Sequence, residues 1–193
     1  MISKIVITFC LILITGNVFS DCSQKEIDTL HKQLNSFKTL SVDFLDGDKI
    51  GTILIQKPGM MRIDYTSPQK ILIIIKDEIV TYYDYQLEEL TKIRQDPKFL
   101  TFLAKDKIDL MGDFETFACT MNNDQMIVFL SLTNQEGEKI HLKMYFLQYD
   151  LNKSEISIDN KKKTILFFNN LTYNPKLEIE RFNFKDKSFY NID

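Results

Sequence analysis

The side chains in this sequence that could do chemistry are few and lie far apart. His31 falls on the polar side of a helically spaced stretch and His141 on the polar side of an alternating one, so each reads as an ordinary surface residue. Asp150 and Asp159 occur singly in turn-like places, where a short carboxylate binds the local backbone more often than it catalyses. Of the three cysteines, Cys10 sits in an apolar leader, leaving Cys22 and Cys119, which could pair in an oxidising compartment or stay free. None of the spacings of a zinc protease, a nucleophile elbow, a phosphate-binding glycine loop or a redox C-x-x-C occurs. The charged group that asks for an explanation is Lys57. It stands at the corner of Gly51 to Pro68, two strand-like runs joined by Pro58-Gly59, and Ile53, Ile55, Met61, Ile63 and Tyr65 fall on one common face beside it.

The elements that must position that corner read as mainly β. Ser23 and Glu26 form a capping box, and Ile27, Leu30, Leu34 and Phe37 recur at helical spacing, so the spacing predicts an amphipathic helix ending near Leu40. Short strand-like runs follow at Leu40 to Leu45, Ile50 to Lys57, Met60 to Thr66, Lys70 to Ile75, Glu78 to Asp84 and Gln86 to Ile93, with turn-like links between them. Asp96-Pro97 starts a second short helix carrying Phe99, Leu100, Phe102 and Leu103. Strands resume near Glu115 and run from Gln125 to Leu132, through Ile140, Leu142, Met144 and Phe146 on one face, then Lys153 to Ile158, Thr164 to Asn170 and Glu180 to Phe184. About ten strands in one meander, with helices only at the start and middle, predict a curved antiparallel sheet whose open mouth the helices cover as a lid.

Residues 1–20 read as a signal peptide: Lys4, then apolar Ile5 to Gly16, then Val18-Phe19-Ser20 before Asp21. The apolar run is shorter than the ~20 residues a spanning helix needs, so cleavage and export are expected. Residues 21–193 then form a single domain. A net charge of -3 and a pI near 5.5 argue against a nucleic-acid partner bound through a basic field. Fifteen Phe, eight Tyr and seven Met with no Trp make an adaptable apolar inventory, fit either for an ordinary core or for an irregular apolar ligand.

The run Lys57-Pro58-Gly59-Met60-Met61-Arg62-Ile63-Asp64-Tyr65-Thr66-Ser67-Pro68 resembles the signature of the periplasmic outer-membrane lipoprotein carrier (LolA-like) family, a basic residue, Pro and Gly before an apolar-Arg-aromatic-x-Tyr run and a Pro. Leu34 to Phe44, Tyr82-Tyr83-Asp84, Asp96-Pro97, Phe182 and Phe184 are similar to further parts of that family. The resemblance implies an unclosed half β-barrel capped by helices, with a cavity that shelters lipoprotein acyl chains, no catalysis and no cofactor. It implies a monomeric periplasmic chaperone that takes triacylated lipoproteins from an inner-membrane ABC transporter to an outer-membrane receptor. By the same resemblance Lys57 takes the place of the lid latch, an arginine in most members. Ile53, Ile55, Met61, Ile63 and Tyr65, with Leu142, Met144 and Phe146, would line the cavity, and Ile27, Leu30, Leu34, Phe99, Leu100, Phe102 and Leu103 would form the lid. Arg62 alternates to the opposite face, as an outer-surface residue. The alternative is a non-catalytic protein-binding or lipid-binding module of the cell envelope on the same half-barrel, which would show an outer peptide groove. An enzyme acting on lipid or glycan would need polar groups converging inside the cavity.

Overall fold

The computed structural model describes residues 19–94, 101–134, 136–159 and 162–184. The helix α1 (Gln24–Ser36) begins at the predicted capping box: the Ser23 hydroxyl accepts from the Glu26 N–H, and the Glu26 carboxylate accepts from the Ser23 N–H at 2.7 Å. The helix stops at Ser36, short of Leu40, because Phe37 turns to extended backbone and Thr39 starts a strand.

Among the described residues twelve strands form one sheet, in two meanders. The first contains β2 (Thr39–Asp46), β3 (Lys49–Gln56), β4 (Met60–Ser67), β5 (Ile71–Lys76), β6 (Ile79–Asp84) and β7 (Glu89–Arg94). The second contains β8 (Thr116–Asn122), β9 (Gln125–Thr133), β10 (Lys139–Leu147), β11 (Asp150–Ile158) and β12 (Lys162–Tyr173). β1 (Phe19–Asp21) pairs with β8, and the order across the sheet is β1-β8-β9-β10-β11-β12-β2-β3-β4-β5-β6-β7, antiparallel at each step. The sheet does not close, since β1 and β7 stand at opposite ends of it. The expected single meander is therefore two, joined where β12 returns to β2 with Phe168 opposite Phe44. Phe19 and Ser20, read from the sequence as the end of the leader, belong to β1.

Curvature is visible at Gly51. This residue sits opposite both Phe44 on β2 and Tyr65 on β4, beside a register shift, and the two rings meet edge-on over it at 5.0 Å. A Cβ at Gly51 would collide with the Phe44 ring and the Asp64 carbonyl oxygen, so only glycine lets the strands bend this closely.

The predicted last strand, Glu180 to Phe184, is instead a 3-10 turn at Ile179–Phe182 followed by extended Asn183. No edge beside β2 is left for it, because β12 holds that place. The segment packs on the outer face of the sheet: Phe182 is buried against β4 and β5, and Phe184 stacks at 5.0 Å on Tyr83 above Leu72 and Ile74. This explains the unbroken apolar run Ile71 to Ile75, since β5 is covered on both faces and alternation is no longer required.

The inner face divides into two parts. On the β8–β10 side it is filled: Leu30 and Leu34 of α1 pack with Phe102, Ile108, Leu110 and Phe114 onto Val128, Leu130, Ile140 and Phe146. A second cluster, Phe37, Leu40, Val42, Phe44, Ile55, Met61, Ile63 and Phe168, covers the wall formed by β2, β3, β4 and β12. Each fully buried Leu or Phe contributes about 1.5–3 kcal/mol. A disulfide from Cys22 to Cys119, 97 residues apart, ties the start of α1 to β8 and resolves the open question of pairing.

Candidate functional site

Between the filled half and the β2–β4 wall lies a hollow of about 300 Å³. Alternation builds its walls. Leu40, Val42 and Phe44 face it from β2, Ile53 and Ile55 from β3, and Met61, Ile63 and Tyr65 from β4. The opposite wall comes from Leu142 and Met144 on β10 with residues of β11 and β12, and Phe102 and Leu103 complete the lining. Seven of the eight residues expected on the wall thus stand on it. Phe146 does not: it is wholly buried in the filled half, one step further along β10, where α1 covers the sheet. Ile27, Leu30 and Leu34 are buried and do not line the hollow; Leu30 and Leu34 pack in the neighbouring, filled half. Phe99 and Leu100, with Pro97, lie outside the described residues. Of the expected second helix, Phe102–Ala104 is a 3-10 turn.

Lys57 sits between these parts. It is 6% exposed, its Nζ donates to the Leu34 carbonyl at 2.7 Å, and the ammonium lies 4.0 Å from the centre of the Phe37 ring. Leu34 is in the last turn of α1, where carbonyls lack partners within the helix and the dipole favours a cation. That turn contains no basic residue of its own, so the hairpin supplies the cation from outside. Burial, with repulsion from Lys38 and only partly offset by Asp106, pushes the Lys57 ammonium down to about 8.

The same hairpin grips the segment that lines the hollow. The Gly59 N–H, at a turn with φ +74°, donates to the Ala104 carbonyl at 2.7 Å, directly after Phe102 and Leu103. Asn35 adds a two-bond clamp across 73 residues: its Oδ1 accepts from the Ile108 N–H at 2.8 Å and its Nδ2 donates to the Ile108 carbonyl at 2.9 Å. The sequence marks Gly59 as a turn residue only, and Asn35 not at all as a site residue. The Asn35 partner is a backbone group far along the chain, and no local pattern announces such a bond.

Arg62 does lie on the outer face. Its guanidinium pairs with Asp64 at 2.6 Å and donates to the Arg181 carbonyl at 2.8 Å, fastening the C-terminal segment. Among the candidates for other chemistry, Asp150 accepts from the Tyr173 hydroxyl at 2.7 Å, and Asp159 accepts from the Lys139 N–H. Burial and the Asp150 carboxylate raise the Tyr173 phenol well above its ordinary value. Among the described residues no three His, Cys, Asp or Glu side chains gather as a metal-binding group. The histidines remain apart, His31 on α1 and His141 on β10. What the geometry offers is an apolar chamber beside a hairpin that ties down its neighbouring segments.

An uncharacterised protein of Rickettsia prowazekii (strain Madrid E) is 27% identical over 193 residues, covering 96% of this chain and 87% of that protein. Among solved structures, an uncharacterised conserved protein from Thermus thermophilus has the same fold, with a TM-score of 0.53 at 11% identity over 86% of this chain and 96% of that one. A LolA superfamily protein from Nitrosomonas europaea aligns with a TM-score of 0.40 at 10% identity, over 81% of this chain and 96% of that one. The family model described as outer membrane lipoprotein carrier protein LolA matches residues 36–185, from the end of α1 through the hairpin to the segment on the outer face. By that match this chain belongs to the LolA family of outer membrane lipoprotein carriers.

Proposed function

We propose that this protein is an exported, non-catalytic carrier that shelters the acyl chains of lipoproteins in its hollow while they cross the periplasm. The observation that carries this reading is the 300 Å³ chamber with almost wholly apolar walls, left unfilled beside a core that is otherwise packed. A natural interior closes voids of this size unless something else enters. Each sheltered methylene contributes about 0.8 kcal/mol, so roughly ten would give on the order of 8 kcal/mol in gross terms. Phe102 and Leu103 fill part of the space when it is empty, and moving them aside offsets part of that gain. A cargo held near balance can be passed on. The donor in this reading is the inner-membrane lipoprotein-releasing ABC transporter and the acceptor an outer-membrane lipoprotein receptor. Lys57 and Gly59 keep the segments beside the hollow in place until cargo arrives. Affinity capture of the exported chain from periplasm, followed by mass spectrometry, tests the reading. Recovery of triacylated lipoproteins is expected, and recovery of none, where a known carrier recovers some, would count against it.

A further inference from the structure

Among the described residues Ser154 is the one buried polar side chain on the wall of the hollow, 4% exposed on β11. Met144 on β10 and Leu166 on β12 stand opposite it on either side, and all three line the chamber. Among the described residues no group forms a hydrogen bond with its hydroxyl. Thr164, paired with Ile156, places a second hydroxyl diagonally along the same wall, at about 7–8 Å by sheet geometry. A hydroxyl covered by hydrocarbon with no partner costs on the order of 1–3 kcal/mol, a cost that an apolar residue at position 154 would avoid when an alkyl chain lies against it. The hydroxyl becomes favourable when a ligand brings an acceptor. Hydrocarbon chains have none, whereas the carbonyl joining an acyl chain to glycerol or to an amine does.

Resting on the reading of the hollow as an acyl-chain site, we infer that the Ser154 hydroxyl donates a hydrogen bond to the carbonyl of an ester- or amide-linked chain, with Thr164 as a second donor. It fixes how deep the chain enters, and it makes the chamber selective for acyl chains over alkyl chains of equal length. The pair of ligands that isolates this is dipalmitoylglycerol and dihexadecylglycerol, which share chain length and headgroup and differ in the carbonyls. Binding is read by displacement of 1-aminoanthracene from the purified chain. The wild type should bind the ester about tenfold more tightly than the ether, the factor that one hydrogen bond to a buried acceptor supplies. Ser154→Ala should lose most of that ratio by weakening the ester alone, and Ser154→Thr, which keeps the hydroxyl, should retain it. Melting temperatures of the variants verify that each is folded. Equal binding of ester and ether by the wild type, or a ratio unchanged in Ser154→Ala, overturns the inference while leaving the acyl-chain reading intact. Failure of both lipids to displace the dye overturns that reading, and the inference falls with it.

Discussion

Lys57 carries its charge in a place that a lysine ordinarily avoids. The neighbours that hold it are the Leu34 carbonyl and the Phe37 ring face, and Asp106 acts only from a distance, having its own ion pair with Lys38 at 3.1 Å. A point charge with three donors can satisfy one helix-terminal carbonyl well, where a planar guanidinium would spread over several. The pH dependence follows from the lowered value. In the folded chain the proton leaves near pH 8, while in the unfolded chain it stays until about 10.5. Between those limits the unfolded state binds more protons, so this group's contribution to stability rises with pH. Lys57→Met removes the charge and keeps much of the volume. Measured by urea denaturation from about pH 7 to about pH 10, the wild type should gain on the order of 2 kcal/mol relative to Lys57→Met. A difference that stays flat or falls over that range contradicts the picture of a desolvated ammonium at the helix end.

At the scale of elements, α1 and the segment from Thr101 to Phe114 act as one unit laid on β8–β10. Asn35 joins them, and the two bonds to Ile108 satisfy a backbone N–H and a carbonyl that otherwise have no strand to pair with. Asn35→Ala should cost about 2 kcal/mol, as expected for two part-buried backbone groups left without partners. It should also speed amide exchange at Ile108 while leaving the β3–β4 amides protected. Unchanged exchange at Ile108 would show that packing alone holds the unit. How legible each element is in the sequence follows the range of the interactions that make it. α1 is readable from Ser23, Glu26 and the spacing of Ile27, Leu30 and Leu34, all local signals, and the β3–β4 hairpin from alternation around Pro58-Gly59. The pairing of β12 with β2 is not readable, because it joins segments more than a hundred residues apart and depends on which two faces curve toward each other. Phe182 and Phe184 mislead for a related reason. Alternating aromatics suit a strand, but here they serve to cover the outer face of β5. Among wall residues, Val42 and Phe44 show the same alternation as Ile53 and Ile55, while Ser154 and Leu166 depend on that unreadable closure.

For the whole molecule the decisive feature is unequal filling of one continuous sheet. The β8–β10 half has α1 and Phe114 on its inner face, whereas among the described residues Phe102 and Leu103 are what reaches over the half bounded by β2–β4, β11 and β12. The sequence lacks tryptophan altogether, so one introduced indole reports on its own surroundings without background. Leu166→Trp puts that indole at the hollow, and Leu130→Trp puts it in the filled half. A packed core resists added volume at about 1–3 kcal/mol or more, because neighbours must leave their rotamers. A hollow accepts it at little cost. Leu130→Trp should therefore lower stability by at least that amount, and Leu166→Trp by less than about 1 kcal/mol. Leu166→Trp should also weaken 1-aminoanthracene binding, since the ring occupies the space the dye needs, and its emission should be blue-shifted as in an apolar site. Equal destabilisation by the two substitutions would mean that the second half closes around its own side chains in solution, and a carrier has no use for a chamber that does so.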